Sequence, residues 1–215
     1  MVRACLVDVY DTILNSQFES RLRDLAAVAG VDPGDWLEAW LKTRTERDCG
    51  QLSVASSIAR ALRSCGIEPE PELVGDLARK DAELLREQVR VFGDTVPFLT
   101  GLRADGVRIA LVSNCGDTTR GLLDDLGVIP LADSVILSCE VGSMKPSPEI
   151  YVSALEDLGV AAADAVMIDD QPSFCVGAEA VGVRAIQIVR PELDGQIPKS
   201  GFPLVRSLLD VPPLL

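Results

Sequence analysis

Hydrophobic positions along the chain follow two patterns. In the first, short unbroken apolar runs stop at a polar residue. Ala4-Cys5-Leu6-Val7 ends at Asp8, and Arg108-Ile109-Ala110-Leu111-Val112 ends at Ser113-Asn114. Ser134-Val135-Ile136-Leu137 ends near Ser138, Ala165-Val166-Met167-Ile168 ends at Asp169-Asp170, and Arg184-Ala185-Ile186-Gln187-Ile188-Val189 ends before Pro191. Runs of this length without alternation predict strands buried on both faces. Helical spacing follows most of them, over Asp117 to Leu126, Pro148 to Leu158 and Pro172 to Val181. Strand–helix alternation predicts a doubly wound, Rossmann-like parallel α/β sheet.

The second pattern occupies about 17–90, where apolar residues recur at helical spacing and no strand is evident. Helices are predicted over Phe18–Ala29, Pro33–Glu46, Ser53–Ser64 and Glu72–Val89. Asp32 and Ser53 are the expected N-caps, Pro33 suits a first helical position, and Gly30 and Gly66 suit helix ends. The chain therefore divides into a core of 1–15 with 92–215 and an all-helical insertion of 16–91. The tail Val211-Pro212-Pro213-Leu214-Leu215 is expected to be poorly ordered.

Composition narrows the chemistry. The 215 residues carry a net charge of −13, 47% are hydrophobic, and histidine is absent. Without imidazole there is no Ser-His-Asp or Cys-His pair and no His-ligated zinc. The acidic balance disfavours nucleic acid, and no apolar run approaches the roughly 20 residues of a membrane helix. The first run meets Asp8 too early for a signal peptide. The six cysteines never form a C-x-x-C pair, which suggests reduced thiols in a cytoplasmic protein. Catalysis must then rest on carboxylates, lysine, hydroxyls, thiols or a hard cation.

Ligands of open α/β sheets sit beyond the carboxyl ends of the strands. Those ends carry Asp8, Ser113, Asn114, Asp169 and Asp170, with Lys145 just past the third long run. Carboxylates from separate strands can hold Mg²⁺ through oxygen, an ammonium with hydroxyl and amide donors can hold an anion beside it, and a carboxylate can act as nucleophile.

In order and spacing, Asp8-Val9-Tyr10-Asp11-Thr12, Ser113-Asn114, Lys145-Pro146 with Ser147-Pro148-Glu149-Ile150-Tyr151, and Ile168-Asp169-Asp170 with Gly177-Ala178 resemble the haloacid dehalogenase superfamily of hydrolases, over nearly the whole chain. The insertion resembles that family's cap domain, and Arg47-Asp48-Cys49-Gly50-Gln51-Leu52-Ser53 resembles the turn with which such caps reach the active site. The resemblance implies a covalent intermediate on Asp8, with Lys145 balancing negative charge and Thr12, Ser113 and Asn114 orienting the transferring group. It also implies Mg²⁺ held by Asp8, Asp170 and the backbone carbonyl of Tyr10, with Asp169 acting through water or as support. Arg44 and Arg47 are candidate substrate contacts or parts of a solvated helix face. Trp36 and Trp40, four apart, read as cap core or as a substrate platform. Cys115 follows the second motif and reads as a small buried residue or as a thiol near the site.

Two positions pull in different directions. Tyr10 stands where phosphatases of the superfamily usually carry a second Asp as acid and base, as in 2-haloacid dehalogenases, whose halide leaving group needs no proton. A phenol with a reference pKa of about 10 is a poor general base near neutrality, and Asp11 is the alternative. Asp169-Asp170 resembles the Mg²⁺-binding form of the phosphatases, whereas Phe174 replaces the Asn or Asp of many metal-dependent relatives. Two clustered carboxylates without a cation would repel each other. The favoured expectation is therefore a Mg²⁺-dependent phosphatase for a small phosphomonoester. A metal-independent 2-haloacid dehalogenase acting through Asp8, and a binding or regulatory protein on a degraded scaffold, are the rivals. The expected partner is a small phosphorylated or halogenated substrate, with no nucleic acid or membrane, and homodimer formation is left open.

Overall fold

The structure, a computed structural model, describes residues 2–193, 195 and 200–215. Its strands are β1 (Ala4–Val7), β2 (Leu14–Asn15), β3 (Arg90–Val91), β4 (Arg108–Ser113), β5 (Ser134–Leu137), β6 (Ala165–Asp169), β7 (Arg184–Ile188) and β8 (Leu204–Val205). The helices are α1 (Phe18–Ala29), α2 (Pro33–Lys42), α3 (Arg44–Asp48), α4 (Val54–Ser64), α5 (Pro71–Gln88), α6 (Thr95–Ala104), α7 (Thr119–Asp125), α8 (Ser138–Val141), α9 (Pro148–Leu158) and α10 (Pro172–Ala180).

Six strands form a parallel sheet in the order β5-β4-β1-β6-β7-β8. Alternate residues of β1 serve opposite faces. Cys5 and Val7 join a cluster with Phe98, Leu99 and Leu102 of α6 and Leu122 and Leu123 of α7. Ala4 and Leu6 join Ile150, Tyr151 and Ala154 of α9 and Ala178 of α10. Because helices cover both faces, every residue of β1 is buried and the run reads as uninterrupted hydrophobe. Each fully buried Leu or Ile of this kind contributes about 1.5–3 kcal/mol. The Rossmann-like α/β architecture expected from the apolar runs is thus the one observed.

Helices α1, α2, α4 and α5 surround a separate cluster that includes Leu22, Leu25, Trp36, Trp40, Ile58, Leu62 and Leu77. The expected caps hold. The Asp32 carboxylate accepts from the N–H groups of Gly34 and Asp35 at the start of α2, and Ser53 accepts from Ser56 N–H at the start of α4. Gly30 follows α1 with φ 69°, a conformation that costs glycine little.

The structure departs from the sequence expectations in four places. The helix expected over Pro33–Glu46 breaks at Thr43. The Trp40 carbonyl, which a continuous helix would pair with residue 44, instead accepts from Thr43 Oγ1 at 2.9 Å and Thr43 N at 3.2 Å. The helix expected from Asp117 begins at Thr119, because the Asp117 carboxylate accepts from Val54 N–H at 3.1 Å, at the start of α4. Three short strands carry too little pattern to read. β2 and β3 form an antiparallel ribbon through which both connections to the helical segment run, and β8 extends the sheet edge. The tail is packed, not loose: Val211 is fully buried with Leu208 and Val205, and Leu215 lies against the same cluster.

Candidate active site

The topology brings the chemical residues to one edge. Asp8 directly follows β1, Ser113 ends β4, Asp169 ends β6 with Asp170 beside it, and Lys145 lies between α8 and α9. Asp8, Ser113, Asn114, Lys145 and Asp170 line a cavity of about 760 Å³, whose far wall comes from α1, α2, α3 and α5.

Lys145 is fully buried, and its Nζ donates to Asp8 Oδ1 at 2.5 Å and Asp169 Oδ2 at 2.6 Å. Burial alone would push its pKa down. The charges of Asp169 and Asp8 more than offset that and hold it above the ordinary lysine value. The Phe174 ring lies 5.0 Å from Nζ. Lys145 is placed by Asn114, whose Oδ1 accepts from Lys145 N–H at 2.7 Å and whose Nδ2 donates to the Lys145 carbonyl at 2.8 Å. Asn114 therefore builds the lysine loop, a task its sequence position did not suggest. Gly177 lets α10 approach the same loop, since a Cβ there would sit 2.7 Å from the Pro146 carbonyl oxygen.

Carboxylate oxygens of Asp8, Asp169 and Asp170 lie within 4.8 Å of one another, all buried. Among the described residues, the single ammonium that pairs with any of these three carboxylates is that of Lys145. Burial pushes Asp169 up to about 7, a rise that the Lys145 charge lowers but does not cancel and to which the Asp8 charge adds. Burial, then Asp8 and Asp169, pushes Asp170 up to about 9. Gln171 supports both acids, its N–H donating to Asp169 Oδ1 at 2.9 Å and its Nε2 to Asp170 Oδ2 at 2.5 Å. An all-oxygen cluster with excess negative charge suits a hard divalent cation. Among the described residues no donor bonds Oδ2 of Asp8. The Ser113 hydroxyl is buried on the cavity wall, with no hydrogen-bond partner among the described residues.

Other expected residues sit differently. The half-buried Tyr10 phenol bonds Thr119 Oγ1 at 3.1 Å, and burial pushes its pKa up, away from general-base use. Asp11 has φ 61°, in the left-handed region. Its two oxygens accept from the N–H and hydroxyl of Ser16, so it closes a turn. Thr12 does not line the cavity. Its hydroxyl is buried with no partner among the described residues, and its carbonyl accepts from Arg190 Nε at 3.0 Å.

On the helical wall, Arg47 stacks 4.3 Å over the Trp40 ring and pairs with Asp48 at 3.2 Å, and Arg44 reaches the same carboxylate at 3.4 Å. Trp36 is fully buried in the helical core, while Trp40 both packs there and borders the cavity. Sequence reading missed the buried Arg21–Asp81 pair on this wall. The signal was an acid on an apolar stripe, since Asp81 continues the spacing of Leu77, Leu84 and Leu85.

A carboxylate cluster around one buried lysine, at the carboxyl edge of a doubly wound sheet, defines a hydrolase-type crevice of the α/β class. The chain belongs to the haloacid dehalogenase-like hydrolases, whose family model matches residues 2–182. It is 28% identical, over an alignment of 228 positions, to a glyceraldehyde 3-phosphate phosphatase of Methanopyrus kandleri, with 98% of this chain and 97% of that one covered. Its fold matches a 2-haloacid dehalogenase from Pseudomonas syringae pv. Tomato DC3000 with a TM-score of 0.74 at 22% identity, covering 100% and 98% of the two chains. It matches a HAD phosphatase from Thermococcus onnurineus with a TM-score of 0.69 at 24% identity, covering 99% and 97%. The two solved structures share the fold. No helix among the described residues is long and apolar enough to cross a membrane.

Proposed function

We propose that the chain is a Mg²⁺-dependent phosphatase that hydrolyses a small phosphomonoester through an aspartyl-phosphate on Asp8. The observation that carries this reading is the cluster of Asp8, Asp169 and Asp170 within 4.8 Å around one ammonium. Such a cluster is costly without a cation. Asp8, Asp170 and the backbone carbonyl of Tyr10 would hold Mg²⁺, with Asp169 acting through water. When bound, the cation would neutralise the carboxylates and the phosphoryl oxygens.

In the proposed reaction Oδ2 of Asp8 attacks phosphorus, the P–O bond to the alcohol breaks, and the alcohol oxygen leaves and takes its proton from solvent water. Water then attacks the acyl phosphate, releasing inorganic phosphate and restoring the carboxylate. Lys145 holds Oδ1, so the free oxygen faces the cavity, and it balances charge as the phosphoryl group transfers. The Ser113 hydroxyl gains a phosphoryl oxygen as its partner. Residues 16–91 act as a cap over a core of 1–15 and 92–215, excluding water from the first step. Arg47 and Arg44 contact the leaving group's far end.

General acid–base assistance is typically worth about 10²- to 10⁴-fold. With Tyr10 tied to Thr119 and Asp11 tied to Ser16, substrates with good leaving groups should be the fastest. Tyr10 also supports a second reading, in which Asp8 displaces halide from a 2-haloacid without a cation. A panel of alkyl, aryl and acyl phosphates together with chloroacetate and 2-chloropropionate, run with Mg²⁺ and with EDTA, tests both. Phosphatase turnover abolished by EDTA supports the proposal, and haloacid turnover in EDTA overturns it.

A further inference from the structure

The second motif and the start of α8 place two thiols side by side outside the machinery described above. Ser113 at the end of β4 is the Cα partner of Leu137 at the end of β5. Cys115 and Cys139 each follow two residues later. Neighbouring strands lie about 4.8 Å apart, and a disulfide spans Cα separations of about 4.4–6.8 Å. The two chains stay together beyond the sheet. Cys115 N–H donates to Ser138 Oγ at 2.9 Å, and the Ser138 hydroxyl reaches back to the Cys115 carbonyl at 3.4 Å. Both cysteines are free, Cys115 borders the cavity, and Cys139 is half-buried. The neighbouring Cys115 thiol holds Cys139 below the ordinary thiol value, and Cys139 together with burial pushes Cys115 above it.

We propose that Cys115 and Cys139 are a redox-active dithiol, a modification site at which a peroxide-class oxidant closes a disulfide beside the active-site cavity. Peroxide transfers one oxygen to the Cys139 sulfur, its O–O bond breaks, and one water leaves. The Cys115 sulfur then displaces the sulfenic hydroxyl, which departs with the Cys115 proton as a second water. The two sulfurs are oxidised together by two electrons, and the peroxide is reduced. The bond ties the loop carrying Ser113 and Asn114 to the segment leading into Lys145. Asn114 already grips Lys145 at two backbone atoms, so the constraint acts on the position of the lysine.

Cys49 is the competing thiol. It precedes Gly50, whose Cβ position would fall 2.0 Å from the Cys139 carbonyl oxygen, so the turn carrying it lies against the same segment.

The test treats the full chain with hydrogen peroxide in EDTA, digests it without reductant and maps cross-linked peptides by mass. A peptide pair joining Cys115 to Cys139, reversed by dithiothreitol, present in Cys49→Ser and absent in Cys139→Ser, is expected. Turnover of whichever substrate the enzyme accepts should fall about tenfold or more and recover on reduction, since misplacing a positioned group by about 1 Å costs up to about 10²-fold. A bridge to Cys49, separate over-oxidised cysteines, or no bridge would overturn the proposed site. Unchanged turnover of the bridged protein would overturn its coupling to Lys145. The mass readout is independent of the reaction that Asp8 performs.

Discussion

Replacing Lys145 with Met removes the one positive charge among three buried carboxylates and keeps the side-chain volume nearly constant. Two contacts are lost, to Asp8 at 2.5 Å and to Asp169 at 2.6 Å, and the lysine is fully buried. Removing one partner of a buried pair costs about 3–5 kcal/mol, because the remaining charge is left uncompensated. In a domain of this size 1 kcal/mol moves Tm by about 2–4 °C, so the variant should melt roughly 6–20 °C lower in EDTA. Adding Asp169→Asn to Lys145→Met restores the net charge of the cluster and should recover part of that loss, a positive coupling in a double-mutant cycle. Scanning calorimetry of the four proteins in EDTA makes the measurement. A Tm within about 2 °C of the parent, corresponding to the ±0.5 kcal/mol typical of surface changes, would refute the electrostatic reasoning.

Asp170 has a raised pKa, so its folded form binds the proton more tightly than its unfolded form. The stability it contributes is present at low pH and is lost as pH rises from the ordinary carboxyl value of 3.8 through about 9. In EDTA, Asp170→Asn should therefore become increasingly more stable than the parent as pH rises across that window. The gap should grow by up to about 1.4 kcal/mol per pH unit. A gap that stays constant between pH 5 and 9 in paired melts would contradict this. Ser113→Ala removes a buried hydroxyl with no partner among the described residues, so Tm should hold or rise, while kcat/KM falls by up to about 10²–10³-fold, as for a lost donor to a charged oxygen. Calorimetry and kinetics on one preparation check both halves. Gly177→Ala places a methyl 2.7 Å from the Pro146 carbonyl and 2.8 Å from Tyr151 Oη. It should cost about 1–3 kcal/mol, read as a shift of the urea midpoint.

The parallel sheet was legible because strands buried on both faces leave continuous apolar runs, as Ala4–Val7 and Ala165–Ile168 do. The ribbon of Leu14–Asn15 with Arg90–Val91, and Leu204–Val205 at the sheet edge, are two residues each, too short for any period to show. The break at Thr43 depends on one hydroxyl reaching one carbonyl, which spacing does not encode. The packing of Val211 depends on the surface it meets, formed by residues distant in sequence. For the site, the strand-end rule found Asp8, Ser113, Asp169 and Asp170. It could not reveal that Asn114 grips the Lys145 backbone or that Asp11 is spent on Ser16, because both facts concern side-chain direction. Arg21 and Asp81 are buried as a pair from different helices, and each alone looks like an ordinary helical charge.

The most direct test of the mechanism is acid-quenched mass spectrometry of the protein mixed with acetyl phosphate and Mg²⁺. A phosphoryl group on the peptide containing Asp8, absent in Asp8→Asn and absent with EDTA, is the predicted result. No phosphoryl label under turnover conditions, or instead an ester of 2-chloropropionate on Asp8 formed in EDTA, would contradict it.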